Sequence, residues 1–220
     1  MDEMVRALSA YSTPTISDSM DRLGLEGTCL GIRPLRLDFH LCGRAFTIQY
    51  GPVGSENGTV GDYIDDVAPG DVVVLDNRGH TDCTVWGDIL TIVASQRELG
   101  GTVIDGVCRD SPRSFELNYP IFSRGAYMRT GKDRVQVDGV NIPVSIGGAR
   151  VRPGDVLIGD SDGVVVVPAE HEQAVLQLAR EIEEAEEEIR SAVRTGSRLD
   201  DARKQFNYHK LQSKQREGAK

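Results

Sequence analysis

The chain has 220 residues, 25 Lys+Arg against 34 Asp+Glu, a formal net charge of −9 and only 5% aromatic residues. At that length one domain buries a real core without disulfides or a structural metal, and the acidic balance argues against general nucleic-acid binding, which needs clustered cations. The sign is uneven, because Arg203, Lys204, Lys210, Lys214, Arg216 and Lys220 face only Asp201 and Glu217 in the last twenty residues. We therefore expect one α/β domain over 1–200 and a basic, mobile tail over 201–220.

No apolar run reaches the roughly 20 residues of a membrane span. The start MetAspGluMetValArgAlaLeuSerAla lacks the basic and apolar stretches of a signal peptide, so the expected location is cytoplasmic, with no membrane partner. Cys29, Cys42, Cys83 and Cys108 show no paired metal-ligand spacing and read as isolated thiols.

In chain order, Thr13 as a cap, Pro14 at the first helical position and Gly24 past the end predict a helix over 14–23. Cys42–Tyr50 alternates like a half-buried strand, and a second helix is expected near 58–67. ProGlyAspValValValLeuAspAsnArgGly (69–79) is echoed by ProGlyAspValLeuIleGlyAspSerAspGly (153–163). Each reads as a Pro-Gly turn, an apolar strand and an Asp/Gly loop, so the two are expected as equivalent strands of one sheet.

Apolar residues at 86, 89, 90, 93 and 94 predict a helix over 86–99 that ends at Gly100-Gly101. A buried strand over 102–107, a short helix from Ser111-Pro112 to Asn118, a strand over 121–128 and a β-rich stretch to Val167 follow. The closing helix, 169–194, carries Val175, Leu178, Ile182, Ala185, Ile189 and Val193 on one stripe and an acidic run on the other face. That stripe could also dock on a neighbouring subunit.

Chemistry concentrates where Gly87-Asp88 is followed, twenty residues later, by Arg109-Asp110. A helix out and a strand back return Arg109 and Asp110 to the helix start. Open backbone N–H groups over Gly87, Asp88, Ile89 and Leu90 would bind a carboxylate, and Gly87 permits close approach. Arg109 offers a permanently charged fork for a carboxylate or an enolate oxygen. Asp110 suits a hard divalent cation that takes one or two protein carboxylates and keeps its waters. An Arg-Asp pair after a strand can also be a plain loop ion pair or a helix cap. His80, in the loop after 71–76, is a further candidate for proton transfer, or simply a loop histidine with local hydrogen bonds. Trp86 reads as a packing anchor.

The runs TrpGlyAspIleLeu, ThrValIleAspGlyValCysArgAsp and TyrProIlePheSerArgGly, with ProGlyAspValLeuIleGlyAspSerAspGlyValValValValPro downstream, resemble the RraA-like family. That family includes the metal-dependent 4-hydroxy-4-methyl-2-oxoglutarate aldolases and the regulators of ribonuclease E activity. The likeness extends from about Ser12 to Leu199. It implies a layered αββα swivelling-domain fold with a long C-terminal helix, assembled as homotrimers or hexamers with sites at subunit boundaries. It also implies a small 2-oxo acid held by residues 87–90, an enolate stabilised by Arg109, and Mg²⁺ or Mn²⁺ on Asp110.

One position departs from the family pattern. Where many aldolase members carry a carboxylate after the Arg-Asp pair, this chain has Arg113. Glu116, one turn along, could substitute, or Arg113 could bind a distal carboxylate of the substrate. The expected activity is a lyase: cleavage of a 4-hydroxy-2-oxo acid to pyruvate, with Asp88 assisting the base and oxaloacetate decarboxylation through the same enolate. Lys132, the only lysine before the tail, is far from this constellation in sequence, which disfavours a Schiff-base mechanism. The competing expectation is a non-catalytic regulator that binds a ribonuclease or helicase through its acidic surface.

Overall fold

The computed structural model describes residues 2–54 and 58–206. Two helices open the chain, α1 (Glu3–Leu8) and α2 (Thr13–Leu23). Ser12 rather than Thr13 caps α2: the Ser12 hydroxyl accepts from the Thr15 N–H, Pro14 sits in the first turn, and Gly24 closes the helix in the left-handed conformation. After β1 (Arg33–Pro34) comes β2 (Leu41–Pro52), the twelve-residue strand that organises the sheet.

The next segment differs from expectation. In place of a helix over 58–67 there is one 3₁₀ turn, Asp62–Asp66. Glycines at 58 and 61 and an acidic first turn leave too little apolar periodicity for a full helix. β3 (Val72–Asp76), α3 (Asp88–Gln96), β4 (Gly101–Asp105), α4 (Ser111–Glu116) and β5 (Ile121–Ser123) then alternate as anticipated. The strand expected over 121–128 stops at Ser123, and Gly125 at φ +140° turns the chain beyond it.

The second half is β-rich: β6 (Val135–Val140), β7 (Val144–Ile146), β8 (Ala149–Val151), β9 (Val156–Asp160) and β10 (Gly163–Val167). A 3₁₀ turn, Ala169–His171, leads into α5 (Glu172–Arg194), and α6 (Leu199–Gln205) follows. The tail expected to be mobile from 201 is therefore helical as far as Gln205, with Ala202 buried; residues 207–220 lie outside the described residues.

The sheet order is β1-β5-β4-β3-β2-β9-β10, with β6 also on β2. Strands β2, β3, β4 and β5 are mutually parallel, whereas β9 runs antiparallel to β2 and β10 antiparallel to β9. The two echoed motifs flank β2 on either side, β3 running with it and β9 against it. Both strands are launched by the same turn. Asp71 N–H donates to Ala68 O and Asp155 N–H to Arg152 O, each at 3.1 Å, with Pro then Gly between them. Gly70 (φ +84°) and Gly154 (φ +86°) supply the positive φ that the third position of such a turn demands.

Three apolar clusters give the layers. Val72, Val74, Val103, Phe122, Leu157 and Val166 fill the space between the two halves of the sheet. Ile48, Leu75 and Ile104 face outward onto Ala94 of α3 and Tyr119. Ile158, Val165 and Val167 face outward on the other side, onto Ile16 and Met20 of α2 and Val175, Leu176 and Ala179 of α5. Helix, sheet, sheet, helix is the result, because strands buried on both faces need cover on both.

On α5 the buried positions are Val175, Leu176, Ala179, Ile182 and Ile189; Leu178 is only half-buried and Val193 is exposed. The acidic face is solvated and laced together by Arg190, which reaches Glu183, Glu186 and Glu187. No helix among the described residues is long and apolar enough to cross a membrane. All four cysteines are free, and burial pushes the Cys29 and Cys42 thiols up to about 12.

Helix α2 is pinned to β9 by one carboxylate. Asp160 accepts from the Thr13 backbone N–H at 2.8 Å, the Thr13 hydroxyl at 2.7 Å and the Asp162 N–H at 2.9 Å. Burial alone would raise its pKa, but these hydrogen bonds outweigh burial and hold it below the ordinary value. A depressed carboxyl contributes stability that is complete above the unfolded value, about 3.9, and lost as pH falls through the folded one. Asp160→Asn should therefore lower the urea midpoint at pH 7, and the gap to the unmodified protein should narrow on acidification below pH 4. A gap that stays constant with pH would remove Asp160 from the acid response.

Candidate active site

The Asp88 end of α3 sits beyond the C-terminal edge of the parallel strands, the edge at which ligands gather in α/β sheets. Its position is set by Trp86, which is 2% exposed. The indole N–H donates to the Thr91 hydroxyl at 2.9 Å, that hydroxyl donates back to Gly87 O at 2.9 Å, and the ring stacks on Tyr119 with centroids 6.2 Å apart. The Trp86 carbonyl accepts the Arg109 N–H at 3.0 Å. Trp86 is thus the packing anchor its sequence context suggested, and it joins the helix start to the Arg-Asp pair.

Beyond β4 the chain passes through Gly106, is bridged again at Val107 and Cys108, and delivers Arg109 and Asp110 beside Gly87. The return expected from the twenty-residue spacing is made, although α3 is nine residues long rather than about thirteen. Arg109 Nε lies 3.4 Å from Asp110 Oδ2, and the Asp88 N–H points to the same oxygen at 3.4 Å. A Cβ on Gly87 would sit 3.0 Å from Asp110 Oδ2 and 3.3 Å from Arg109 Nε, so only glycine leaves this approach uncrowded.

Asp110 occupies the N-cap position of α4 without capping it. Its φ of +57° is left-handed, a conformation aspartate tolerates better than most residues, and its side chain turns to α3 instead. Asp88 receives the Ile89 N–H on Oδ1 at 2.9 Å. The Gly87 and Leu90 N–H groups make no hydrogen bond among the described residues and remain open to a ligand.

These groups meet at an open cleft of about 540 Å³. Residues 87–90 and Arg109 line one side; Thr59, Asp62, Thr130 and Lys132 line the rest, with Asp110 in contact at its edge. The second group was not found from sequence. Lys132, remote in the chain, enters the cleft because the 130–134 turn tucks against Thr84, and the only local signal was the turn-forming ThrGlyLysAsp at 130–133.

The remaining candidates fall elsewhere. Arg113 and Glu116 pair with each other at 2.6 Å on the exposed face of α4, and neither lines the cleft. Each satisfies the other's charge one turn along the helix, which leaves both surface residues. His80 is exposed, lies 3.8 Å from Asp82, and lines a separate cavity with Arg78, Arg129 and Arg134.

The donor set suits one kind of cation. Among the described residues no three His, Cys, Asp or Glu side chains converge, so a tetrahedral, protein-saturated zinc site has no ligands here. One carboxylate, Asp110, with its Oδ1 free of hydrogen bonds among the described residues, matches a hard cation such as Mg²⁺ or Mn²⁺ that fills its shell with water and substrate oxygens.

The Aldolase/RraA family pattern, described as RraA-like, matches residues 13–166. The chain belongs to the RraA-like family. It is 38% identical over 188 residues to a protein of Halalkalibacterium halodurans provisionally named 4-hydroxy-4-methyl-2-oxoglutarate aldolase, covering 86% of this chain and 87% of that one. It is 39% identical over 211 residues to Protein DlpA of Legionella pneumophila, covering 94% of this chain but only 34% of DlpA, so the chain spans about a third of that relative's length.

Among solved structures, an uncharacterized protein from Pseudomonas syringae superposes with a TM-score of 0.85 at 40% identity, covering 91% of this chain and 96% of that one. RraAS2 of Streptomyces coelicolor, described as an unusual member of the RNase ES inhibitor RraA protein family, superposes at 0.77 with 31% identity, covering 85% and 95%. The αββα architecture with its long C-terminal helix is the fold of this family.

Proposed function

We propose that the protein is a divalent-metal-dependent lyase that cleaves a 4-hydroxy-2-oxo acid, of the 4-hydroxy-4-methyl-2-oxoglutarate type, to pyruvate, and that it decarboxylates oxaloacetate. The observation that carries this reading is the meeting of Arg109, the Asp110 carboxylate and the open N-terminus of α3 at one cleft. The provisional names of several relatives support it.

The Gly87 and Leu90 N–H groups and the positive end of α3 bind the substrate carboxylate. Asp110 holds the cation, which when bound supplies a Lewis acid for the 2-oxo group. Arg109 donates to the oxygen on which enolate charge accumulates, an interaction stronger in the transition state than in the ground state. Asp88, at the same helix start, assists removal of the 4-hydroxyl proton. The O–H pair then becomes the new carbonyl bond, the C3–C4 pair moves into the enolate, and a proton returns to C3. Oxaloacetate loses CO₂ to the same enolate, so both substrates use the same groups.

The test is to follow pyruvate from 4-hydroxy-4-methyl-2-oxoglutarate and from oxaloacetate with Mg²⁺ and again with EDTA. Pyruvate that appears with Mg²⁺ and vanishes with EDTA is the expected result. No metal-dependent pyruvate from either substrate overturns the reading and leaves regulation of a ribonuclease, suggested by the likeness to RraAS2, as the alternative. The reading carries with it a homotrimer or hexamer as the working unit, which light scattering on the purified protein checks.

A further inference from the structure

A second cavity, of about 410 Å³ and so within the size range of small-ligand sites, is left unused by the proposed chemistry. One turn separates it from the cleft. Thr130 and Lys132 line the cleft, whereas Arg129 and Arg134, on either side of them in the chain, line the second cavity. Its rim is cationic in a protein of net charge −9: Arg78, Arg129 and Arg134 stand against one carboxylate, Asp82, with His80 between the two groups in kind.

These guanidiniums are not spent on close ionic partners. The Arg129 side chain makes no hydrogen bond or ion pair among the described residues. Arg134 reaches the Thr130 and Lys132 carbonyls of its own turn at 3.2 and 3.3 Å, and Arg78 stands 4.0 Å from Asp138. The backbone beneath them is fixed. The Arg129 carbonyl accepts the Thr84 N–H at 3.0 Å, and the Arg134 and Val135 N–H groups both donate to Gly131 O at 2.9 Å.

Arg78 carries a further signal. Its φ is +54°, and with Gly79 at +73° it forms the central pair of a tight turn closed by the His80 N–H on Asn77 O at 2.9 Å. Glycine, asparagine and aspartate are the ordinary occupants of such positions. Asp76 Oδ1 accepts the Arg78 N–H at 2.9 Å and helps hold the strained conformation. A long cationic side chain kept where glycine would sit without strain points to a use for that side chain.

Three planar, permanently charged forks suit a phosphoryl group, whose oxygens accept from each. The other polar lining suits hydroxyls: the Asp82 carboxylate accepts, and the Asn77 amide, 1% exposed, can both donate and accept. Tyr50 and Val135, both buried, complete the lining beneath the rim.

We infer that this cavity is a second ligand site that takes a sugar phosphate, with the phosphoryl group on Arg78, Arg129 and Arg134 and the sugar hydroxyls on Asp82 and Asn77. The inference is independent of the lyase reading, since none of these five residues lines the cleft at α3.

Titration calorimetry with ribose 5-phosphate, orthophosphate and ribose as probes tests it. Ribose 5-phosphate should bind about tenfold more tightly than orthophosphate, and ribose should give no measurable heat. Arg129→Met should weaken ribose 5-phosphate about tenfold, the scale of one charge-assisted contact, and leave the thermal midpoint unchanged. Arg78→Gly should weaken it similarly while leaving the midpoint equal or higher, because glycine relieves the left-handed backbone. Arg109→Ala, at the cleft, should leave this binding intact.

No binding of ribose 5-phosphate, or orthophosphate binding equally well, overturns the inference. So does binding that survives Arg129→Met and Arg78→Gly but is lost in Arg109→Ala, which would put the ligand in the cleft at α3.

Discussion

Asp110→Ala should reduce metal-dependent pyruvate release to the uncatalysed background, and Arg109→Ala should cut kcat by about 10²–10³, the scale of losing one preorganised donor to a developing oxyanion. The reason for the difference is that the two side chains do unlike work. In the proposed reaction Asp110 is the anchor for the cation, and it is the carboxylate placed beside Arg109 at that corner of the cleft. In the same proposal Arg109 would add a second stabilising contact to the enolate oxygen.

Both side chains are more than two-fifths exposed, at 41% for Arg109 and 45% for Asp110, so neither substitution should shift the thermal midpoint appreciably. Their mutual ion pair is solvated and worth little to stability. Arg109→Lys keeps the charge but loses the planar fork, and should recover only part of the rate. Steady-state kinetics beside a melting curve checks all three variants. Full activity in either alanine variant would place the chemistry elsewhere.

The largest effect on the fold is expected at Trp86. Truncation to alanine empties the volume between α3 and Tyr119, removes the donor to Thr91, and should cost about 3–5 kcal/mol. For a chain of this size that corresponds to a fall in Tm of order 10 °C. Trp86→Phe retains most of the ring and loses the N–H, and should fall between the two.

Because the Trp86 backbone also carries Gly87 and receives the Arg109 N–H, Trp86→Ala should lower kcat even at temperatures where it stays folded. Circular dichroism is the suitable probe, since Trp86 is the only tryptophan and its removal leaves only tyrosine emission. A midpoint within two degrees of the unmodified protein would show that Tyr119 and Leu90 close the gap on their own.

Much of this was legible locally. Pro14 and Gly24 bounded α2 to within a residue, and the two Pro-Gly-Asp motifs announced two strands of one sheet, because a Pro-Gly turn followed by β-branched residues has few other uses. The spacing between Gly87-Asp88 and Arg109-Asp110 predicted their meeting because a helix followed by a parallel strand must return to its starting level. The misplaced helix near 58–67 came from reading composition where glycine decides. The exposed end of α5 came from assuming one straight stripe, whereas α1 and α2 cover only its first half and shift the contact onto Leu176 and Ala179.

Other features had no local signal. Nothing around ThrGlyLysAsp at 130–133 distinguishes it from any polar turn, and Arg113 drew attention because it stands where many aldolase members of the family carry a carboxylate. Whether a polar side chain reaches a cleft depends on which loops the sheet brings together, and the parallel bridge of Thr84 with Thr130 is a contact across forty-six positions.

The sequence by itself determined most of the helices and strands and the Arg-Asp pair at a helix start, because each follows from short-range geometry and hydrophobic periodicity, whereas the αββα class was legible only through the resemblance to the family. The tertiary structure alone decided that Lys132 joins that pair while His80, Arg113 and Glu116 do not. Long-range strand order sets which loops share a cleft, and no local propensity encodes it.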